Sequence, residues 1–512
     1  MRSRKALVNT TVQIILEIVT IISGFIVPRL IIGTFGSDTN GLVISITQFF
    51  GYLTVLQTGI GGVAKAALYK PLADNDIAKT SSLIKSIESF FQKIGYFSIA
   101  YLVILMIVFP VLIYPAGNTA ETALLVLIIW LGVFSQYYFG LTYQFLLQAD
   151  QRYYVFSFTQ IAVVILNTIL SVVMIKCGFS ILMVKLVSSF IFFARPVFLS
   201  AYCKKKYSLD QRAVKDDSLL KQRWDGFGHT IAYFIHSKTD VFVLTIFSTL
   251  ANVSVYSVYA YVTSGLSLLM NTVATSVQSA FGNMIARQER ENIKKNYHAY
   301  VCFNNALVMI LFSTAIITIL PFMKLYTASF EYSGYIDGTF AFLLFVAEAT
   351  YCIRMPYQTI VLAAGHYKQT RNGAFAEAGI NIVISVCLVY WLGIIGVTIG
   401  TLVAMMIRTI QYIRYLSKNI VSEKPEKQYV WVIVDIVFLS AAGILSKRIN
   451  TIKRIQLINS YLGWCIFAFI VFILMTILVV AMIAIIDKES FSNIIAIPKR
   501  IFRKQTEVEK AG

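Results

Sequence analysis

The chain has 512 residues, of which 57% are hydrophobic and 13% are charged, and its formal net charge at pH 7 is +19. Soluble domains carry about 25% charged residues, so this composition excludes an ordinary soluble protein. Uncharged stretches as long as the roughly 20 residues needed to cross a bilayer recur along the chain. The sequence therefore predicts an all-α polytopic membrane protein.

Runs of apolar residues between polar breaks predict about fourteen transmembrane helices. In chain order they cover residues 9–33, 41–68, 88–115, 122–149, 153–176, 180–203, 228–250, 253–284, 297–321, 338–364, 373–391, 394–416, 430–447 and 458–486.

Lys and Arg concentrate in alternate loops between these runs, as in the stretches 2–5, 204–212, 287–295 and 499–504. Cytoplasmic loops of membrane proteins carry such an excess, so the net charge reflects topology and no nucleic-acid partner is expected. The same rule places both termini in the cytoplasm, as expected for a multi-pass membrane protein. The basic loop 446–454 is an exception, because it falls on the outer side.

The chain also contains a weak internal repeat. Tyr143 and Tyr357 are each followed by Gln and lie 214 positions apart, and Asn167 and Asn381 have the same offset. This offset spans an even number of predicted helices, so both copies have the same orientation in the membrane. Parallel repeats of this kind are known in transporters.

The repeat and the basic stretch beyond the sixth helix predict four segments. They are an N-lobe at 1–203, a cytoplasmic linker at 204–226, a C-lobe at 227–416, and two extra transmembrane helices with a cytoplasmic tail at 417–512.

Motifs for soluble chemistry are missing from the sequence. It has no Walker motif and no GxSxG motif, its six cysteines occur singly, and its four histidines form no HExxH pattern. We therefore expect no enzymatic activity, no catalytic residue, no metal and no cofactor. Transport is the function class that remains most consistent with the sequence.

Ionisable residues inside membrane helices are costly, and they usually face a cavity or a partner. Arg354 lies roughly 15 Å from the cytoplasmic end of its predicted helix, too deep to reach the surface easily. It is the first candidate for binding an anionic substrate, and a structural pair with Asp240 or Glu348 is the alternative. The further basic candidates are Lys65, Arg29, Arg408 and Arg195, all of which lie near enough to a helix end to reach the interface instead.

The acidic candidates for a coupling-ion or gating role are Asp240, Glu17, Glu348 and Glu377. Glu377 has no counterpart in the first lobe, where Val163 occupies the equivalent position. It lies one turn into its predicted helix, so pairing with Lys368 or Arg371 is the expected structural role.

Two stretches resemble bacterial polysaccharide flippases of the Wzx type, which are members of the multidrug/oligosaccharidyl-lipid/polysaccharide (MOP) exporter superfamily. They are GSDTNGLVISITQFFGYLTVLQTGIGGVAKAALYKPLADND at 36–76 and AAGHYKQTRNGAFAEAGINIVISVCLVYWLGIIGVTIGTLVAMMIRT at 363–409. The resemblance implies the MATE-like fold, with two six-helix lobes around a V-shaped cavity. Gln57 is a departure, since the family often has an acidic residue near this position.

The resemblance further implies export of a polyprenyl-diphosphate-linked oligosaccharide by alternating access for cell-surface polysaccharide synthesis. The implied partners are this lipid-linked substrate, membrane lipids, a polysaccharide polymerase and glycosyltransferases. Three alternatives stay open: a cation-coupled multidrug antiporter, a flippase for peptidoglycan or teichoic-acid precursors, and a scaffold that transports nothing.

Overall fold

The computed structural model describes residues 2–210, 212–215, 239–330, 332–452, 455 and 458–487. Helices account for all the regular structure in these ranges apart from turns, and no strand occurs in them. Thirteen of the described helical segments are long and apolar enough to cross a membrane. The all-α membrane architecture expected from the sequence is therefore confirmed. The remaining predicted span, 228–250, falls largely on residues outside the described ranges.

The chain forms two compact units, which are Met1–Tyr261 with Phe330–Tyr332, and Val262–Ser329 with Ser333–Gly512. The helices that begin in the first unit are α1 (Arg2–Phe35), α2 (Ser37–Gly51), α3 (Thr54–Ala73), α4 (Ile77–Val108), α5 (Thr119–Ser135), α6 (Leu141–Ala149), α7 (Tyr153–Lys176), α8 (Ile181–Lys206), α9 (described over 239–247) and α10 (Leu250–Ala286). The helices that begin in the second unit are α11 (Arg290–Tyr326), α12 (Gly338–Ala363), α13 (Tyr367–Leu392), α14 (Ile394–Leu416), α15 (Glu426–Ile449) and α16 (Tyr461–Ile486).

The predicted helix at 41–68 is interrupted. The α-helical hydrogen bonds give way to tighter bonds at its middle, where the Tyr52 N–H donates to Phe49 O over 3.1 Å and the Leu53 N–H donates to Phe50 O over 3.1 Å. The predicted helix at 122–149 is also interrupted, by the π-helical turn Gln136–Gly140 that joins α5 to α6. Such π turns are frequent at functional sites.

The last two helices form an antiparallel hairpin along α11. Near one end of α11, the Ser446 hydroxyl donates to Ile316 O over 2.8 Å and the Trp464 indole N–H donates to Thr318 O over 3.0 Å. Near the hairpin's open end, Lys427 Nζ lies 2.9 Å from Asp487 Oδ2. The C-terminal end of α15 and the N-terminal end of α16 therefore lie near the C-terminal end of α11, which agrees with two full spans.

Each unit has its own packed core. In the first unit, aromatic and aliphatic side chains of α2, α3, α4 and α6 form a continuous cluster that includes Phe50, Phe91 and Leu146. In the second unit, α13 packs closely on α14, and α14 packs on α12. These three helices hold the charged residues described next.

Candidate functional site

The structure pairs two of the predicted intramembrane charges with each other. Arg354 on α12 and Glu377 on α13 are 3% and 5% exposed. Arg354 Nη1 lies 2.5 Å from Glu377 Oε1, which is a charge-assisted hydrogen bond. Because each charge is buried, each one stabilises the other in an environment that would otherwise disfavour ionisation.

Arg408 on α14 extends this pair to a three-residue charge cluster. Its Nε lies 3.5 Å from Glu377 Oε2, and its Nη2 donates to the Thr370 carbonyl over 2.9 Å. The same Nη2 donates to the Tyr412 hydroxyl over 3.0 Å. Two guanidinium groups thus share one carboxylate, so the cluster carries an excess of one positive charge inside the second unit.

The backbone and the nearby aromatic rings shape this cluster. A Cβ atom added to Gly373 would lie 1.9 Å from Arg408 Nη1, so only glycine leaves space for the guanidinium beside α13. The Arg354 guanidinium lies 4.9 Å from the ring centroid of Tyr351, and that of Arg408 lies 4.2 Å from the ring centroid of Tyr412. At these distances the ring faces attract the cations.

The partners differ from those expected for these residues. Glu377 was expected to pair with Lys368 or Arg371, but both of these side chains are exposed whereas Glu377 is buried and faces α12 and α14. Arg408 was expected to reach the cytoplasmic surface, and instead it is 3% exposed and bonded to neighbouring helices. The physical reason in both cases is the close packing of α13 on α14 at Gly373.

The other basic candidates have separate environments, all in the first unit. Lys65 on α3 is half-buried and forms no hydrogen bond or ion pair with any residue in the described ranges. Arg195 on α8 donates to Gln136 Oε1 and lies 5.1 Å from the ring centroid of Phe156. Arg29 on α1 is half-buried. The charge cluster therefore contains two of the five basic candidates.

The remaining acidic candidates accept hydrogen bonds from neutral groups. Asp240 is 8% exposed and accepts from the Tyr256 hydroxyl over 2.7 Å. Glu17 accepts from the Gln13 amide over 2.9 Å. Glu348 accepts from the Ser267 hydroxyl over 3.0 Å.

The internal repeat shows that the charge cluster is specific to the second unit. At the 214-residue offset, Gly140 corresponds to Arg354 and Val163 corresponds to Glu377. Gly140 ends the π-helical turn between α5 and α6, whereas α12 is continuous through Arg354. The two units thus use the same position in different ways, which is the asymmetry that the sequence indicated at Glu377.

One buried carboxylate escaped the sequence analysis. Asp435 lies in the apolar stretch VWVIVDIVFL of α15 and is 0% exposed. A lone acidic residue within a membrane-length apolar run is itself a signal of function, so the sequence contained enough information to identify this position. Among the described residues, no group of three or more His, Cys, Asp or Glu side chains has an arrangement suited to a metal ion.

Comparisons with known proteins identify the fold. No protein-family model and no curated protein sequence matches the chain. A solved structure of the lipid II flippase MurJ, in an inward closed conformation, is similar with a TM-score of 0.64 and 15% identity, over 92% of this chain and 99% of that chain.

Two MATE transporter structures are also similar. An inward-facing multidrug resistance MATE family transporter of the MOP superfamily has a TM-score of 0.57 and 13% identity, over 85% of this chain and 98% of its own. The Vibrio cholerae MATE transporter VcmN in its bent form has a TM-score of 0.50 and 14% identity, over 85% of this chain and 99% of its own. The chain therefore has the MATE-like fold of MOP-superfamily transporters.

Proposed function

We propose that this protein is a flippase that moves a polyprenyl-diphosphate-linked oligosaccharide, the repeat unit of a surface polysaccharide, across the bacterial cytoplasmic membrane by alternating access. The observation that carries the proposal is the buried cluster in which Arg354 and Arg408 share the single carboxylate of Glu377. An anionic head group is the ligand that this excess positive charge favours. The similarity to a lipid II flippase over nearly the whole chain supports a lipid-linked substrate.

Arg354 is the residue we assign to the diphosphate. Arg binds phosphate through two parallel N–H donors. Its Nε is buried and has no hydrogen-bond partner among the described residues, so one edge of the guanidinium is available for a new acceptor. A phosphate oxygen that bound there would compete with Glu377 for Arg354, while Arg408 would keep the carboxylate neutralised.

This competition connects substrate binding to movement. Arg354 is 3% exposed, so a diphosphate reaches it only when α12 and α13 separate. The ion pair with Glu377 holds the two helices together in the absence of substrate. In the proposed cycle the substrate phosphates replace the carboxylate as the partner of Arg354, and the helices are then free to rearrange. Lys65 and Arg29 are proposed as additional head-group contacts in the first unit.

A reconstituted assay tests the assignment of Arg354. We expect Arg354→Ala to lower the initial rate of flipping of a fluorescent polyprenyl-diphosphate oligosaccharide by at least about tenfold, since one charge-assisted hydrogen bond contributes about 1.5–3 kcal/mol. The matched control is Arg371→Ala, which removes an exposed arginine from α13 and is expected to leave the rate unchanged. Unchanged flipping by Arg354→Ala, at normal levels of folded protein, would contradict the assignment.

The principal alternative is a cation-coupled multidrug antiporter, and it is favoured by the similarity to MATE transporters. In that case the buried Asp240 and the half-buried Glu348 would bind cations. Cells expressing the protein would gain resistance to cationic dyes, and Asp240→Asn would abolish the resistance. An effect on surface glycan without dye resistance favours the flippase, and transport of lipid II in the same assay would identify a peptidoglycan-precursor flippase.

The proposed setting is the bacterial cytoplasmic membrane, with both termini in the cytoplasm and with a polysaccharide polymerase and glycosyltransferases as functional partners. The alternation of basic and non-basic loops supports this orientation. Single cysteines introduced near each terminus test it, because a thiol reagent that cannot cross the membrane is expected to label them only after the cells are permeabilised.

A further inference from the structure

Asp435 occupies a position that normally holds an apolar residue. The buried residues of α15 are Gln428, Trp431, Asp435, Leu439, Ala442 and Ser446, and their spacing of three and four forms one stripe along the helix. Asp435 is 0% exposed, and neither of its carboxylate oxygens has a hydrogen-bond partner among the described residues. In the described part of the chain, this buried carboxylate therefore has no hydrogen bond that compensates for its burial.

The facing surface of α11 carries a second uncompensated polar group. Asn305 is 0% exposed, and both its amide oxygen and its amide nitrogen lack hydrogen-bond partners in the described part of the protein. It lies between Cys302 and Met309, which pack with Trp431 in one apolar cluster. Because residues three and four apart share a helix face, Asn305 and Asp435 belong to the same α11–α15 interface.

Two more oxygen atoms belong to this region. The Asn304 amide donates through Nδ2 to the Cys352 carbonyl over 3.0 Å, but its Oδ1 has no partner among the described residues. The buried Tyr357 hydroxyl on α12 likewise lacks a partner there, and it lies within electrostatic range of Asp435. The interface thus combines one carboxylate with amide and hydroxyl oxygens.

An isolated ionised carboxylate is not stable in an apolar interior, where its burial costs far more than a protein's net stability. It is either neutralised by a proton or compensated by a cation. Among the described residues, Cys302 on α11 and Tyr357 on α12 lie near Asp435, and Cys302 also lies near the Lys427–Asp487 pair that joins α15 to α16. None of them supplies an unpaired positive charge, since Lys427 already has Asp487 as its partner.

We propose that Asp435 and Asn305, with the oxygens of Asn304 and Tyr357, form a binding site for one monovalent cation, either Na⁺ or H⁺, between α11 and α15. Oxygen donors suit hard cations, and a single carboxylate matches a single positive charge. Occupation of the site fixes the α15–α16 hairpin to α11. The site is independent of the substrate proposed above, and it is tested without any transport measurement.

The test is the apparent melting temperature of the purified full-length protein in detergent. It is measured in increasing NaCl, with choline chloride replacing NaCl at constant ionic strength, and separately from pH 5 to pH 9 in choline chloride alone. A ligand that binds only the folded state raises the melting temperature with its concentration. Sodium binding predicts a rise with NaCl, and proton binding predicts a fall as the pH increases.

Asp435→Asn is expected to remove whichever response the unaltered protein shows. The matched control is Glu426→Gln, which removes an exposed carboxylate from the first turn of the same helix and is expected to keep the response. Asn305→Leu keeps the carboxylate and is expected to shift the midpoint of the response by at least about tenfold in cation concentration.

Two results overturn the proposal. One is an unaltered protein that responds neither to NaCl nor to pH, a result that does not depend on the folding of any variant. The other is an Asp435→Asn protein that keeps the full response, which would assign the cation to a different group. Asp435→Leu adds a further check: a higher melting temperature with an intact response means that the carboxylate is only a misplaced charge.

Discussion

Removal of the carboxylate from the charge cluster has the largest predicted effect on stability. In Glu377→Gln the side chain keeps its size, but Arg354 and Arg408 lose their common counterion. With an effective dielectric constant of about 20, the attraction across 2.5 Å is about 7 kcal/mol and that across 3.5 Å is about 5 kcal/mol. The cost of burying the charges offsets most of this attraction, so the expected net loss of stability is about 3–5 kcal/mol.

The three positions are expected to follow an order. Arg408→Met leaves the 2.5 Å pair between Arg354 and Glu377 in place, so it is expected to destabilise the protein less than Glu377→Gln does. Arg354→Met leaves only the longer 3.5 Å contact of Glu377 with Arg408, so the loss of stability in this variant is expected to lie between those of Arg408→Met and Glu377→Gln. The triple variant Arg354→Met, Glu377→Leu and Arg408→Met contains no unpaired buried charge, and we expect it to be more stable than Glu377→Gln alone.

The assay is the free energy of unfolding from an SDS titration of the full chain in mixed micelles, followed by tryptophan fluorescence. Flipping is measured on the same preparations, since the proposal requires that the triple variant is folded and inactive. A Glu377→Gln protein that unfolds at the same SDS fraction as the unaltered protein refutes the electrostatic argument. A folded triple variant with normal flipping refutes the role of the cluster in transport.

Two further changes test local packing. Gly373→Ala places a Cβ 1.9 Å from a guanidinium nitrogen of the cluster, so we expect the free energy of unfolding in the same titration to fall by about 1–3 kcal/mol. The control is Gly379→Ala on the same helix, whose Cβ meets nothing within 4 Å, and it is expected to be neutral or stabilising. Outside the spans, burial and a hydrogen bond to Asp150 raise the pKa of Tyr207. The neutral phenol therefore contributes stability that is present below pH of about 10 and falls above it. Tyr207→Phe is expected to remove this pH dependence, whereas the control Tyr202→Phe leaves the bond between Tyr207 and Asp150 intact and is expected to keep it.

Much of the architecture follows from the sequence because membrane insertion depends on local composition. A run of about 20 apolar residues is sufficient to define a span, regardless of what the rest of the chain does. The positions of α7, α8, α12 and α14 agree with the sequence within a few residues. The hairpin of α15 and α16 was also expected, even though its basic connection departs from the usual charge rule.

The sequence also located most of the buried charges but not their partners. Arg354, Glu377 and Arg408 each stood out as ionisable residues within apolar runs. Which of them meet depends on the rotation of α12, α13 and α14 about their own axes, and residues 23 and 31 positions apart in the chain carry no local signal of contact. The interruption of the 41–68 helix at Tyr52 is similar, because no proline or glycine pair marks it there as a break.

By itself, then, the sequence determined the membrane class, the order of most spans and the candidate charges, because hydropathy and charge are properties of short segments. The tertiary structure decided that Glu377 bridges Arg354 and Arg408, since Gly373 brings α13 against α14 closely enough for a guanidinium to fit. It also decided that Asp435 lies in the buried seam between α15 and α11 rather than on an exposed face. Both outcomes follow from helix packing, which joins distant parts of the chain and is not encoded in any one segment.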